Sequence, residues 1–473
     1  MNCVWQSLVN LNPIRLLAFV AVICFASLHA ADAALPRLKI SENKRFLVKE
    51  DGSPFFFLGD TAWELFHRLN RADADFYLSN RAAKGFTVIQ AVVLAEFDGL
   101  TVTNAYGHLP LEKNDPAKPN EAYFKDVDYI VNKAEQLGLY IGMLPSWGDK
   151  WNKLRGAGPE IFTAANAEAY GRFLGNRYKT KPVIWILGGD RNPVSDAHLA
   201  IIRAMAKGLK RGDGGKHLMT FHPQGPGNSS QWFHADEWLD FNMCQSGHAS
   251  TNIPTYSFTT TNYLLNPVKP TLDGEPRYED HPINWRPANG WFDDWDVRQA
   301  AYWSLLAGAC GHTYGNHNIW QFLQADRKPV SSARTEWRTA LDQPGAFQVG
   351  NARKLFESRA WQKLIPDQSL LTSEAGEGAD HIRAAGAGDG SFGFVYSPMG
   401  KPFTLKVGKF VGSRVKAQWF NPREGTWTLD GEFPTLGIHQ FTPPSQGRGN
   451  DWVLIVDGAK QAVPGPDLFP KRP

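Results

Sequence analysis

Short apolar runs that read as β-strands alternate with amphipathic stretches that read as helices over most of this chain, and no other feature constrains its fold as strongly. The strand candidates span residues 55–60, 87–94, 140–147, 183–190, 217–222, 241–248, 270–275 and 311–317. Helical stretches at 73–84, 123–137, 164–178, 196–209 and 296–308 fall between most of them, whereas 223–240 and 249–269 are weakly periodic. Strands joined through helices run parallel, and each crossover is right-handed. Eight of them closing on themselves predict an α/β fold, a (β/α)8 TIM barrel with loop insertions over residues 34–350. A hairpin around the turn Glu50-Asp-Gly-Ser-Pro54 is expected to lead into its first strand.

A chain of 473 residues exceeds what one core comfortably supports, so a second folded unit is expected. A connecting helix is predicted at 352–364. Beyond it the pattern changes to short period-two runs separated by Gly and Pro turns, such as 392–396, 403–407, 415–420 and 452–456. That spacing predicts a β-sandwich over 351–460, followed by a Pro-rich tail at 461–473.

The first 33 residues carry one basic residue, Arg15, then an apolar run at 16–27, then small residues ending at Ala33. They read as a signal peptide, which implies a secreted or periplasmic protein. The run is short for a membrane span, and no other stretch approaches one. With a net charge of +3 and scattered basic residues, the chain lacks a nucleic-acid footprint. Cys3 and Cys24 lie in the leader. Cys244 and Cys310 remain and are expected as buried thiols, with a single bridge left open. No cofactor or metal motif is present: Asp293, Asp294 and Asp296, near His312 and His317, lack ligand spacing and read as a charged helix N-terminus.

The chemistry is carried by two acids. Asp190 closes the run Val183-Ile-Trp-Ile-Leu-Gly-Gly-Asp190, and Glu275 closes Pro270-Thr-Leu-Asp-Gly-Glu275. In a barrel the C-terminal ends of all strands open onto one face, so two acids distant in sequence can meet across one pocket. Glycosidic bond cleavage needs such a pair. One protonates the leaving oxygen, and the other attacks the anomeric carbon at roughly 5–5.5 Å separation or activates a water at roughly 6.5–9.5 Å. A duller alternative makes Asp190 the N-cap of the helix that follows. Asp273 competes with Glu275 and is expected to support it.

Other strand ends carry groups suited to a sugar, whose hydroxyls take bidentate hydrogen bonds and whose C–H faces stack on aromatic rings. The candidates are Asp60, Trp63, Gln90, Glu96, Trp147, His222, Gln245, His248 and Asn316. The competing function class is a non-catalytic carbohydrate- or matrix-binding protein on the same scaffold.

Leu58-Gly-Asp-Thr-Ala-Trp63, Ala82-Ala-Lys-Gly-Phe-Thr-Val-Ile-Gln90, Trp185-Ile-Leu-Gly-Gly-Asp190, Asp273-Gly-Glu275 and Trp419-Phe-Asn-Pro-Arg-Glu-Gly425 occur in this order. Together they resemble the apiosidase-like glycoside hydrolases, family 140 and its relatives. The resemblance implies a secreted barrel hydrolase that cuts side chains of plant cell-wall, pectic polysaccharide. It implies Asp190 as acid/base and Glu275 as nucleophile, and a C-terminal β-domain labelled collagen-binding. The partner it implies is a polysaccharide or oligosaccharide substrate, with no nucleic acid and no membrane span.

Overall fold

In the computed structural model, which describes residues 34–458, eight strands in two parallel groups carry the site. They are β1 (Phe57–Thr61), β2 (Val88–Leu94), β3 (Tyr140–Ser146), β4 (Val183–Gly188), β5 (Met219–His222), β6 (Asn242–Gln245), β7 (Thr271–Asp273) and β8 (Gly311–Tyr314). Six form one sheet in the order β8-β1-β2-β3-β4-β5, and β6 pairs with β7. Hydrogen bonds also cross both seams between these groups. Thr220 Oγ1 donates to the Phe241 carbonyl at 2.7 Å, and the Cys310 amide donates to the Thr271 carbonyl at 2.8 Å. β2, β3 and β4 are buried along their whole length, as expected of strands covered on both faces.

Helices begin where side chains satisfy their first amides. Asn70 caps Arg71–Ala83, Thr163 forms a capping box with Asn166 on Ala164–Tyr178, and Asp293 forms one with Asp296 on Asp294–Leu306. The acidic trio is thus a helix N-terminus. Asp190 caps nothing: the next helix, Asp196–Asp213, is capped by Ser195. The two weakly periodic stretches hold only Ser230–Phe233 and Thr255–Tyr263. Ahead of β1, Leu38–Ile40, Leu47–Lys49 and Pro54–Phe55 pair antiparallel as three strands.

The helix expected at 352–364 instead runs Pro344–Glu357. Pro344 occupies its first turn, where a missing N–H costs nothing. Beyond it, β9 (Leu364–Pro366), β10 (Arg383–Ala387), β11 (Phe392–Ser397), β13 (Arg414–Asn421), β14 (Thr426–Pro434) and β16 (Trp452–Gly458) form an antiparallel sheet ordered β9-β10-β11-β16-β13-β14. β12 (Phe403–Lys406) and β15 (Ile438–Phe441) pair with each other.

Alternation along these strands divides their loyalties. Val395, Leu454 and Val456 pack with Phe403, Leu405 and Phe441 of the two-stranded pair. Phe392, Phe394, Tyr396, Val453 and Ile455 point the other way and join the core that includes the parallel strands. Helix Asp294–Leu306 is buried from Trp295 to Leu306 without interruption, as a helix covered all round must be. Trp303 Nε1 donates to the His381 carbonyl at 2.8 Å, and Arg298 binds Asp451 through Nε and Nη2 at 3.0 and 2.8 Å. From Leu35 to Gly458 the chain is accordingly one compact unit.

Cys244 and Cys310 are buried free thiols. Among the described residues no helix is long and apolar enough to cross a membrane. The signal peptide expected over 1–33 and the tail over 461–473 lie outside the described residues.

Candidate active site

A cavity of about 390 Å³ opens at the C-terminal ends of the parallel strands, and every one of the eight contributes to its wall. Trp63 follows β1, Glu96 β2, Trp147 β3, Asp190 β4 and Gln224 β5; Gln245 and His248 belong to the end of β6; Glu275 and Tyr278 follow β7; His317 and Trp320 follow β8.

Asp190 is presented by an unusual turn. The backbone runs left-handed through Gly188 (φ 100°), Gly189 (φ 87°) and Asp190 (φ 55°). A Cβ on Gly188 would lie 2.3 Å from the His222 carbonyl oxygen, so no other residue fits there. Aspartate tolerates the left-handed region better than most residues, and strain of this kind concentrates at functional positions. The Asp190 Oδ2 accepts from Arg155 and Arg191, each at 3.1 Å.

Glu275 sits on a short turn pinned by Asp273. The Asp273 Oδ1 accepts the amides of both Glu275 and Ser246 at 3.3 Å, tying the ends of β6 and β7 together. Two imidazoles face the Glu275 carboxylate. His248 Nε2 lies 3.0 Å from Oε1, and His222 Nε2 lies 3.2 Å from Oε2. The His222 approach is off-axis, so Oε2 has no well-aligned protein partner. His222 Nδ1 meanwhile accepts the Asp190 amide at 3.4 Å, which leaves its proton on Nε2.

These surroundings separate the acids electrostatically. Burial alone would raise Glu275, but the adjacent imidazoles of His222 and His248 outweigh it and bring the carboxyl down to about 2. Asp190 moves the other way, raised by burial and then by the Glu275 carboxylate against the pull of Arg155 and Arg191. Glu96 is pushed up to about 8 by burial and the neighbouring carboxylates, Asp190 first among them. One carboxylate is therefore firmly ionised while its neighbours are pressed toward the acid form.

Of the candidate sugar-binding residues, Trp63, Glu96, Trp147, Gln245 and His248 line the cavity. Trp63 and Trp147 pack with ring centroids 5.3 Å apart, and His222 closes edge-on against Trp63 at 5.4 Å. Four candidates are placed elsewhere. Asp60 is buried in a pair with Arg81 Nε and the Tyr77 hydroxyl, both at 2.6 Å, so its charge is consumed structurally. Gln90 donates to the Gly274 carbonyl at 2.9 Å and props the Glu275 turn from beneath. Asn316 is tied to Gln343 and to the Asn318 amide. His222 supports both acids from below the cavity wall.

Arg155, Tyr278, His281, Trp285 and Trp320 also line the cavity and were not anticipated. They lie on loops without periodicity. The one available signal was proximity in sequence, since Tyr278 and His281 follow Glu275 closely.

Comparison with known proteins agrees with this geometry. Residues 41–363 match the family model "Apiosidase-like, catalytic domain", and residues 365–457 match "Putative collagen-binding domain of a collagenase". A solved glycoside hydrolase superposes with TM-score 0.83 at 33% identity, over 91% of this chain and 98% of that one. A glycoside hydrolase family 5 structure from Bacteroides vulgatus ATCC 8482 gives 0.84 at 32%, over 90% and 95%. Mannan endo-1,4-beta-mannosidase 3 of Oryza sativa subsp. japonica is 25% identical over 210 residues, which are 37% of this chain and 42% of that protein. The chain thus spans less than half the length of that curated relative. The match over most of the chain, on a parallel-strand scaffold whose strand ends converge on two acids, shows that this chain belongs to the apiosidase-like catalytic-domain family of glycoside hydrolases.

Proposed function

We propose that the protein is a secreted retaining glycosidase that removes side chains from plant cell-wall, pectic polysaccharide, working from a closed (β/α)8 barrel. Glu275 is the nucleophile and Asp190 the acid/base. Asp190 gives its proton to the glycosidic oxygen as Glu275 Oε2 attacks the anomeric carbon and the C–O bond breaks. It then takes a proton from the water that attacks the same carbon and frees Glu275. Trp63 and Trp147 offer faces for the sugar ring, and Gln245 and His248 offer hydrogen-bonding groups.

One observation carries this reading: Glu275 is held ionised by His222 and His248, with a buried oxygen left unpartnered, while Asp190 in the same cavity is pressed toward protonation. The hydrogen bonds at both strand seams support closure, and the composition of residues 1–33 supports export.

Incubation with pectin-derived oligosaccharides, with product identification and proton NMR of the newborn anomer, tests the proposal. Mannan belongs in the same panel because of the rice relative. Release of a monosaccharide with retained configuration is expected. Cleavage of mannan alone would overturn the pectic assignment, and an inverted anomer would overturn the covalent route. N-terminal sequencing of exported material is expected to find a start near Ala31 or Ala34; an uncleaved Met1 would overturn export.

A further inference from the structure

Three carboxyls face one cavity, and the mechanism above uses two. The third, Glu96, stands half-buried in the wall just beyond β2. Its segment is fixed: Lys150 Nζ donates to the Glu96 carbonyl at 2.6 Å, and Lys150 is itself buried against Asp149 at 2.8 Å. The Glu96 carboxyl nonetheless takes no hydrogen bond from any described side chain or amide. Asp190 and Glu275, by contrast, are each held by two basic groups. A carboxyl on an anchored backbone, with its oxygens left to the cavity, has no structural duty to explain it.

Glu96 bears on the proton that Asp190 has to supply. A general acid has to carry a proton when substrate arrives, and the rise that burial and Glu275 give Asp190 works against two guanidinium groups bonded to its Oδ2. We propose that Glu96 and Asp190 hold one proton between them in the resting enzyme, so that Glu96 acts through Asp190 as a positioning residue for the leaving-group proton. This rests on the acid/base role assigned to Asp190.

The charged groups that act on Glu96 are Asp190, Glu64, Asp149 and Arg191, with Lys150 at its backbone. Burial first, and then the three carboxylates, keep Glu96 protonated up to about 8 against the pull of Arg191. Two acids that repel each other when both are ionised lose their protons in two steps that belong to the pair. Between those steps the pair keeps one proton. Asp190 spends it on the glycosidic oxygen as the C–O bond breaks, which leaves both acids anionic. The water that opens the glycosyl-Glu275 ester returns one proton to the pair as its oxygen bonds to the anomeric carbon. No further acid or base enters the cycle.

Carbon-13 carboxyl NMR titration of the full chain tests this without any substrate. Wild type is expected to show a carboxyl ionising near 8, which Glu96→Gln removes and Asp190→Asn moves down by about one pH unit or more. Glu96 titrating in the ordinary carboxylate range would overturn the sharing, and so would indifference to Asp190→Asn. The kinetic arm uses the oligosaccharide found by the polysaccharide panel. In Glu96→Gln of unchanged circular dichroism, the alkaline limb of kcat/KM is expected to move about one unit to lower pH, because Asp190 then titrates beside a neutral amide. An unmoved limb would overturn the proposal. The titration reports on Glu96 whatever the substrate proves to be, so its failure is distinct from failure of the pectic reading.

Discussion

His222 lies 3.2 Å from Glu275 through one ring nitrogen and 3.4 Å from the Asp190 amide through the other, so a single imidazole spaces the two acids. Its replacement by alanine is expected to lower kcat/KM at neutral pH by roughly 10- to 150-fold, the worth of one close polar contact to a charged group. The Glu275 carboxyl should also rise, moving the acid limb of the pH profile upward. The sign follows from a folded-state value near 2, below that of the unfolded chain. Stability from this group is present above the unfolded value and is lost as pH falls toward 2. Acid-unfolding curves of His222→Ala should show a smaller loss over that window. An unmoved acid limb would show that His222 does not tune the nucleophile.

The acid assignments separate by variant. Glu275→Ala is expected to abolish turnover on every substrate, since no glycosyl-enzyme forms. Asp190→Ala should suffer least with an activated leaving group that departs unprotonated. Azide should speed the Asp190 variant and yield a glycosyl azide of retained configuration. Rescue with the opposite pattern would exchange the two roles.

Asp60 is expected to matter for stability and not for sugar binding. Asp60→Asn leaves Arg81 buried without its counter-charge, a loss of about 3 kcal/mol or more. Urea unfolding measures it. KM of the folded fraction should stay near wild type, and a large rise in KM would return Asp60 to the binding set.

Ending the chain after Lys363 is expected to give poorly soluble protein with residual activity. The side of β11 and β16 that joins the core of the parallel strands covers apolar surface that the truncation exposes, and Arg298 loses Asp451. Arg298→Ala in the full chain isolates the second effect, expected at about 3–5 kcal/mol by urea unfolding. A soluble truncated form of normal stability would show that the strands beyond Lys363 add nothing to this core.

The eight strands were legible because burial on both faces demands continuous apolar runs, and helices between them demand a different period. Both acids were legible because each ends such a run, where a parallel strand delivers its last side chain to the open face. Helix starts were less legible. The helix at Pro344 begins eight residues before its expected position, since Pro, Gly and Ala at its start carry no periodic signal.

Which polar residues reach the cavity was decided by tertiary structure alone. Asp60 and Trp63 both close β1, yet one meets Arg81 in the core and the other faces the pocket. Gln90 and Gln245 look alike in sequence, but Gln90 spends its amide on Gly274 while Gln245 lines the wall. Arg155 and Tyr278 arrive on aperiodic loops whose paths depend on packing. Local sequence determines which residue ends a strand, because strand formation is a matter of neighbouring residues. It does not determine what stands opposite that residue, and the groups brought around each strand-end carboxyl from other strands are what hold Glu275 low and press Asp190 upward.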